Sequence, residues 1–354
     1  MSNAISLPAS LVPLVVAWYR SNARPLPWRS TGDPYRVWLS EIMLQQTRIE
    51  AVIPYYYRFL DACPTVEALA SVDDDVLMKL WEGLGYYSRA RNLKKAAGII
   101  VREYGGAIPP DPALLRRLPG IGEYTCGAIS SIAFGLPEPA VDGNVLRVLT
   151  RVTACPDDIA LPQTKKAFRD ALAAVYPLGP EAARFTEGLM ELGEVVCPPN
   201  GEPRCDACPL HALCRAAEEG TVDRYPVRSP KKERRIENLT VLLLRCGGKY
   251  AIRRRPAGGL LGGMWEFPHV PGSLTPEEAV LAARDLCPGI EIRADSAVSL
   301  GRAKHVFTHV EWHMTGCRID FDGPCPLTLA APDEIRTAYA VPTAFRRWKD
   351  ELEG

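Results

Sequence analysis

The sequence has no surplus of either charge and no apolar run of the length that a membrane helix needs. Lysine and arginine together number 42, as do aspartate and glutamate, so any surface that attracts nucleic acid must be local. No run of about 18 apolar residues occurs, which argues against a membrane span. The apolar start at residues 1–20 lacks the basic residues of a signal peptide, so we expect it to form a first helix.

The cysteines do not have the even number and spread of a disulfide-stabilised fold. There are 11 of them; four crowd between Cys197 and Cys214 and the others are scattered. This pattern is typical of a reducing compartment and one metal site. We therefore expect a cytoplasmic protein.

The chain of 354 residues has the length of two or three globular domains. Residues 1–220 carry apolar positions at helical spacing and predict an all-α domain. Residues 221–235 are basic, hold two prolines and lack an apolar stripe, which is typical of a linker. Residues 236–354 predict an α+β domain, with a helix over 275–286 and strands over 239–244, 249–254, 298–300 and 306–319.

One group of cysteines has the spacing of a metal site. Intervals of seven, two and five residues separate Cys197, Cys205, Cys208 and Cys214. Zinc ribbons usually have two CxxC pairs and this chain has one, so the uneven loops suit an iron–sulfur cluster better. Zinc and free thiols stay open as alternatives. We expect a structural clip, whose flanking Arg204 and Arg215 face a backbone phosphate.

A tight turn separates two helical segments at Leu118-Pro119-Gly120-Ile121-Gly122. Glycines allow a close approach of the backbone, and the N–H groups that begin the next helix favour an anion. The pattern indicates a helix-hairpin-helix that grips a phosphate. An ordinary turn between two helices fits the same residues.

Two carboxylates have the setting of an acid and a base. Glu41 lies in a segment that is apolar nearly all round, so burial should raise its pKa and suit a general acid. A salt bridge to Arg36 or Arg48 is the alternative. Asp142 precedes a helix, where capping should lower its pKa and keep it ionised. One protonated and one ionised carboxylate is the arrangement of glycoside hydrolysis, but the sequence does not place the two together.

Together these parts closely resemble the MutY-type adenine DNA glycosylases of the endonuclease III superfamily. The resemblance covers nearly the whole chain and is specific because the motifs occur jointly. Besides the four-cysteine loop, the matching stretches are 26–29, 34–47, 83–93, 118–129, 141–148, 262–268 and 306–309.

The resemblance implies an all-α helix-hairpin-helix glycosylase domain with an iron–sulfur loop, followed by an α+β Nudix-like domain that recognises the lesion. The implied substrate is double-stranded DNA with adenine opposite 8-oxoguanine or guanine. The protein itself would be a monomer that associates with the nucleoid and not with a membrane. Its four cysteines would hold a [4Fe-4S] cluster. Glu41 would protonate adenine N7, and the carboxylate of Asp142 would stabilise the sugar cation, helped by Asn144 and Tyr124.

The remaining implied roles concern binding. The adenine pocket would use Arg24, Leu26, Trp28 and Glu187. DNA contacts would use the wedges Gln46 and Tyr86 and the hairpin glycines Gly120 and Gly122. Recognition of 8-oxoguanine would use Phe307, Thr308 and His309, although Phe307 and His309 could instead alternate on one strand face and merely pack.

The chain departs from the family pattern at several positions. The first cysteine interval is seven residues where six is usual, Thr308 replaces a common serine, and Leu146 replaces a lysine of some members. Tyr124 stands where a lyase has its lysine, so we expect a monofunctional enzyme rather than a bifunctional endonuclease III type. The helix at 279–289 lacks the paired glutamates of a Nudix hydrolase, which favours binding over nucleotide hydrolysis. A non-catalytic DNA-binding scaffold is a further alternative.

Overall fold

The computed structural model describes residues 5–29, 31–230, 233–293 and 295–352. The chain forms two compact units, one of Met1–Ser71 with Arg91–Pro230 and one of Val72–Ala90 with Lys231–Gly354. Two features differ from the sequence-based boundaries. Residues 72–90 group with the second unit, and residues 221–230 of the expected linker group with the first. Residues 231–232 of that linker lie outside the described part.

Helices make up the first unit, as the apolar spacing predicts. In chain order, the α-helices of the whole chain are α1 (Leu11–Asn22), α2 (Pro34–Leu44), α3 (Ile49–Ala62), α4 (Val66–Ser71), α5 (Asp74–Leu80), α6 (Ser88–Tyr104), α7 (Pro112–Leu115), α8 (Glu123–Ala128), α9 (Gly143–Thr153), α10 (Pro162–Ala173), α11 (Pro180–Val195), α12 (Arg215–Glu218), α13 (Pro276–Leu286), α14 (Pro332–Thr337) and α15 (Arg346–Lys349). A short π-helix, Ile129–Ala133, continues α8. No helix in the described ranges has both the length and the apolarity to cross a membrane.

The core that supports the site forms where α1, α9 and α11 pack together. Large apolar side chains such as Leu149, Phe185 and Leu189 are fully buried there, and each contributes roughly 1.5–3 kcal/mol. Gly193 of α11 allows α9 to pack closely against α11, because a Cβ on Gly193 would lie 2.7 Å from Cβ of Asn144. This close approach places the start of α9 against α11.

The second unit contains a mixed sheet. Its strands are β1 (Arg235–Cys246), β2 (Lys249–Arg254), β3 (Trp265–Glu266), β4 (His269–Pro271), β5 (Glu291–Ile292), β6 (Val298–Val306), β7 (Val310–Asp322) and β8 (Thr328–Ala330). The order is β3-β2-β1-β7-β5, with β4 on β1, β6 on β7 and β8 on β2. β1 and β7 are parallel, with Arg235 opposite Val310. α13 and α15 lie on opposite faces.

Most sequence-based elements of this unit are confirmed. Residues 249–254 form β2, the antiparallel partner of β1, and Thr275 caps α13 through a capping box. The strand expected over 306–319 is wrong at its start, because β6 ends at Val306 and β7 begins at Val310. The Phe307 N–H donates to the Val310 carbonyl over 2.8 Å and closes a hairpin there. We call residues 307–309 the hairpin turn of the second unit.

Candidate active site

Glu41 is buried in the middle of α2, as its apolar neighbours predict, with 5% of its surface exposed. Its partner is the Tyr124 hydroxyl, which donates to Glu41 Oε2. The alternative of a salt bridge to Arg36 or Arg48 is not found among the described residues, and Arg36 instead lies 3.6 Å from Asp33. Burial raises the pKa of Glu41 to about 7, while the Tyr124 hydrogen bond opposes the rise. A carboxyl with this pKa carries a proton near neutral pH and can donate it.

Asp142 caps α9, as predicted, and belongs to a short polar network. Its Oδ1 accepts from the Val145 N–H over 2.7 Å and its Oδ2 accepts from Asn144 Nδ2 over 3.0 Å. Arg147 in turn donates to Asn144 Oδ1 over 2.8 Å. This network fixes the direction in which the carboxylate points.

The expectation that capping holds the pKa of Asp142 low is wrong. Burial raises its pKa above the usual value, because loss of water outweighs the hydrogen bonds from Val145 and Asn144. The negative charge of Asp142 also contributes to the raised pKa of Glu41. The two carboxylates are therefore close enough to interact electrostatically. The sequence alone did not show that they lie near each other.

The four residues implied for an adenine pocket line one cleft of about 520 Å³ in the first unit: Arg24, Leu26, Trp28 and Glu187. Trp28 packs edge-on against Tyr56, with ring centroids 5.3 Å apart. Glu187 accepts a hydrogen bond from the Tyr19 hydroxyl over 2.8 Å. Burial raises the pKa of Glu187, and the positive charge of Arg29 opposes this. The cleft thus has an aromatic wall and a carboxyl group.

Three residues of this region were missed by the sequence reasoning: Tyr19, Arg29 and Glu191. Glu191 is fully buried and accepts from Arg24 Nε over 2.5 Å and from Arg29 Nη2 over 2.6 Å. Burial alone would raise the pKa of Glu191, but the two guanidinium groups hold it below the usual value. Tyr19 binds Glu187 as described above. Only the mixture of charge and apolar spacing along α11 could have pointed to Glu191.

The glycine turn has the geometry that its sequence predicts. Gly120 has a φ of 81°, and a Cβ there would lie 2.8 Å from Asn92 Cβ, so a larger residue would not fit. Gly122 is exposed and precedes α8, which carries Tyr124. The turn therefore offers exposed backbone beside the helix that holds the hydroxyl partner of Glu41.

The four-cysteine loop closes around one hollow. Cys197, Cys205, Cys208 and Cys214 all line it, together with Arg151, whose Nη1 lies 3.0 Å from Cys197 Sγ. None of the four takes part in a disulfide bond. No group of three His, Cys, Asp or Glu within the described ranges is arranged to hold a single metal ion. The loop thus supplies four thiols at one place, the number that an iron–sulfur cube takes.

The residues expected to contact the duplex are exposed and have unusual backbones. Gln46 and Tyr86 both have positive φ, at 58° and 48°, a conformation uncommon outside glycine. In the second unit, the Tyr86 hydroxyl lies 3.0 Å from Thr308 Oγ1 in the hairpin turn. Thr308 and His309 are exposed, while Phe307 packs on Trp312 with centroids 4.9 Å apart. Phe307 and His309 do not alternate along a strand, because they lie in a turn, but the packing that this alternative expected is present for Phe307.

The chain is similar to known repair proteins in both units. Residues 39–176 match the HhH-GPD superfamily base excision DNA repair protein family, and residues 240–350 match the NUDIX domain. Adenine DNA glycosylase of Homo sapiens is 33% identical over 94% of this chain and 72% of its own length. That of Rattus norvegicus is 33% identical over 94% of this chain and 76% of its own length. This chain belongs to the adenine DNA glycosylase family.

Solved structures support the helical fold. A thermostable thymine-DNA glycosylase is similar with a TM-score of 0.53 and 29% identity, covering 59% of this chain and 96% of that one. A non-covalent endonuclease III–DNA complex is similar with a TM-score of 0.51 and 24% identity, covering 60% and 98%, and shows the fold alone.

Membership of this family assigns an activity to the protein. It is a DNA glycosylase that removes adenine from DNA in base excision repair. The expected architecture, a helix-hairpin-helix domain followed by a Nudix-like domain, is confirmed.

Proposed function

We propose that this glycosylase hydrolyses the N-glycosidic bond of adenine paired with 8-oxoguanine, and more slowly of adenine paired with guanine. The observation that carries the preference is the hairpin turn, which presents Thr308 and His309 beside Tyr86, 3.0 Å from Thr308. A polar turn next to a candidate wedge can sense the base that faces the flipped adenine.

The catalytic steps follow from the two carboxylates. Adenine must flip out of the base stack of the duplex, at a cost of a few kcal/mol. Gln46 and Tyr86 would fill the gap that it leaves. Glu41, protonated near neutral pH, gives its proton to adenine N7 and so neutralises the leaving base. The bond between the sugar and adenine then breaks. The ionised form of Asp142, held by Val145 and Asn144, stabilises the positive sugar until water adds to C1′ and its proton passes to solvent.

The lesion differs from guanine at two atoms. In 8-oxoguanine an oxygen is added at C8, and N7 changes from acceptor to donor. The Thr308 hydroxyl can donate to or accept from these atoms, and His309 can do the same through its ring nitrogens. Paired contacts of this kind discriminate between bases by about 1–3 kcal/mol. The replacement of serine by Thr308 keeps the hydroxyl and adds a methyl group.

We further propose a monofunctional mechanism and a cluster. A Schiff base needs an amine, whereas Tyr124 offers a hydroxyl that is already bound to Glu41. A [4Fe-4S] cluster would be held by Cys197, Cys205, Cys208 and Cys214, which share one hollow. When bound it would supply a fixed link between the end of α11 and the following loop. The monomeric state and the cytoplasmic location stay predictions.

The test is excision from duplexes with adenine opposite 8-oxoguanine or guanine. Replacing Thr308 and His309 together by alanine should slow excision opposite 8-oxoguanine and leave excision opposite guanine nearly unchanged. The rate opposite 8-oxoguanine divided by the rate opposite guanine should fall by between about fivefold and about a hundredfold, which corresponds to the contact energies above. We prefer substitution to deletion of residues 236–354, because the deletion would also remove most of the unit to which Tyr86 belongs.

A matched control exists in the same unit. Thr328 lies exposed in β8 and His313 lies on β7, so replacing both by alanine removes the same two side-chain types elsewhere. This control should keep the wild-type ratio. If the Thr308 and His309 variant also keeps it, the hairpin turn does not read the opposite base.

A further inference from the structure

Two cysteines outside the four-cysteine loop face each other in the second unit. Cys287 directly follows α13 and is fully buried. Cys325 lies in the loop between β7 and β8 and is partly exposed. Their sulfur atoms are 3.4 Å apart although 38 positions separate them in the chain. Neither residue belongs to the adenine cleft or to the hairpin turn.

The backbone around the pair holds the two segments together. β5 pairs antiparallel with β7, with Glu291 opposite Asp322, and Arg293 makes two hydrogen bonds of 2.8 Å to Asp322. Beyond these strands the loops stay in contact, since a Cβ on Gly323 would lie 3.2 Å from the Gly289 carbonyl oxygen. The cysteines are therefore fixed near each other by independent contacts.

A disulfide needs a close approach of the two Cβ atoms and a defined torsion about the sulfur bond. A tight turn, in which the Ile290 N–H donates to the Cys287 carbonyl over 3.3 Å, leads from Cys287 into β5, and β5 pairs with β7, the strand that precedes Cys325. The sulfur atoms, 3.4 Å apart, must approach each other by a further ~1.4 Å to form the bond.

We propose that Cys287 and Cys325 form a reversible disulfide site that reacts with hydrogen peroxide. Cys325 reacts first: its thiolate sulfur attacks one peroxide oxygen, the O–O bond breaks, and a sulfenic acid and one water result. The Cys287 sulfur then attacks the sulfenic sulfur, the S–O bond breaks, and its thiol proton leaves with the hydroxide as a second water. Each sulfur loses one electron, and peroxide is reduced to two waters.

The environments of the two thiols set this order. Cys325 is partly exposed, so peroxide reaches it from solvent. Cys287 has no exposed surface, and burial together with the Cys325 thiol raises its pKa to about 12, which keeps it a poor first nucleophile. Cys287 therefore acts as the resolving thiol.

The bond would join the end of α13 to the loop after β7 and enclose β5, β6, the hairpin turn and β7. A cross-link of this span removes conformational freedom from the unfolded chain. We expect oxidation to raise the midpoint of thermal unfolding of the second unit by roughly 5–15 °C. Dithiothreitol should reverse the rise.

The experiment uses the full-length protein, treated with hydrogen peroxide, alkylated and digested for mass spectrometry. We expect one peptide pair joined through Cys287 and Cys325, lighter by two hydrogen atoms than the two thiol peptides, and absent after dithiothreitol. Cys287→Ser should leave a sulfenic acid on Cys325 that dimedone traps. Cys325→Ser should leave Cys287 unmodified.

Cys246→Ser is the matched control, since Cys246 is a partly buried cysteine packed in the same apolar cluster. It should form the same joined peptides as the wild type. The proposal is overturned if both thiols stay open to alkylation after peroxide, if the joined peptide contains Cys246, or if Cys287 becomes sulfenylated in Cys325→Ser. Mapping of the wild-type protein decides the matter even if a variant fails to fold.

Discussion

Replacing Glu41 by glutamine should stabilise the protein above neutral pH while it removes activity. Glutamine has the same shape and can still accept the hydrogen bond from Tyr124, but it carries no charge. The wild-type carboxylate must be ionised in a buried position at high pH, which is unfavourable. The variant is free of that cost.

The magnitude follows from the pKa of Glu41. The unfolded chain releases this proton near pH 4.5 and the folded chain only near pH 7. The folded state therefore binds more protons between these values, and its stability falls as the pH rises through them. A rise from 4.5 to about 7 corresponds to about 3 kcal/mol. Glu41→Gln should be more stable than the wild type by up to this amount above pH 7, and by little below pH 4.5.

Thermal unfolding followed by far-ultraviolet circular dichroism measures this difference. About 3 kcal/mol corresponds to roughly 6–12 °C for a unit of this size. Glu50→Gln, an exposed position in the first turn of α3, is the control and should change little at any pH. Excision should fall by about 10²–10⁴ in Glu41→Gln. A stability difference that does not depend on pH would refute the buried-acid reasoning.

Four further predictions concern the active site and the four-cysteine loop. Excision by the wild type in single turnover should fall roughly tenfold between pH 6 and pH 8, as the protonated fraction of Glu41 falls. Tyr124→Phe removes a hydrogen bond that lowers this pKa, so the fall should move to higher pH, and a shift to lower pH would contradict the assignment. Cleaved strands should appear only after alkali, and efficient borohydride trapping on DNA would show a lyase. Protein purified without oxygen should contain about four iron atoms and lose them in Cys208→Ser; one zinc and no iron would exclude the cluster.

Short-range burial patterns made much of the fold predictable. Residues 249–254 and 276–286 form the strand and helix that their spacing and capping indicate. The burial of Glu41 was predictable for the same reason, since its neighbours along α2 are apolar on nearly all sides. Such patterns repeat every two or 3.6 residues and depend on neighbours only.

The hairpin turn marks the limit of this reasoning. Residues 306–319 mix apolar and aromatic residues with polar ones, and no glycine or proline lies near 307–309, so no turn residue signals an end of the strand. The turn arises because β6 folds back to pair with β7, from Val306 opposite Glu311 onwards. Pairing between strands is decided by the sheet and not by either strand alone.

The sequence by itself determined that residues 1–220 are mainly helical, which acid is buried and which cysteines are grouped. Only the tertiary structure decided that Glu41, Tyr124 and Asp142 share one site, and that Cys287 meets Cys325. Their partners lie tens of residues away, and contacts at such separations depend on how helices and strands pack. The pKa of Glu41 is of this kind, since burial by several elements and the hydroxyl of Tyr124 set it together.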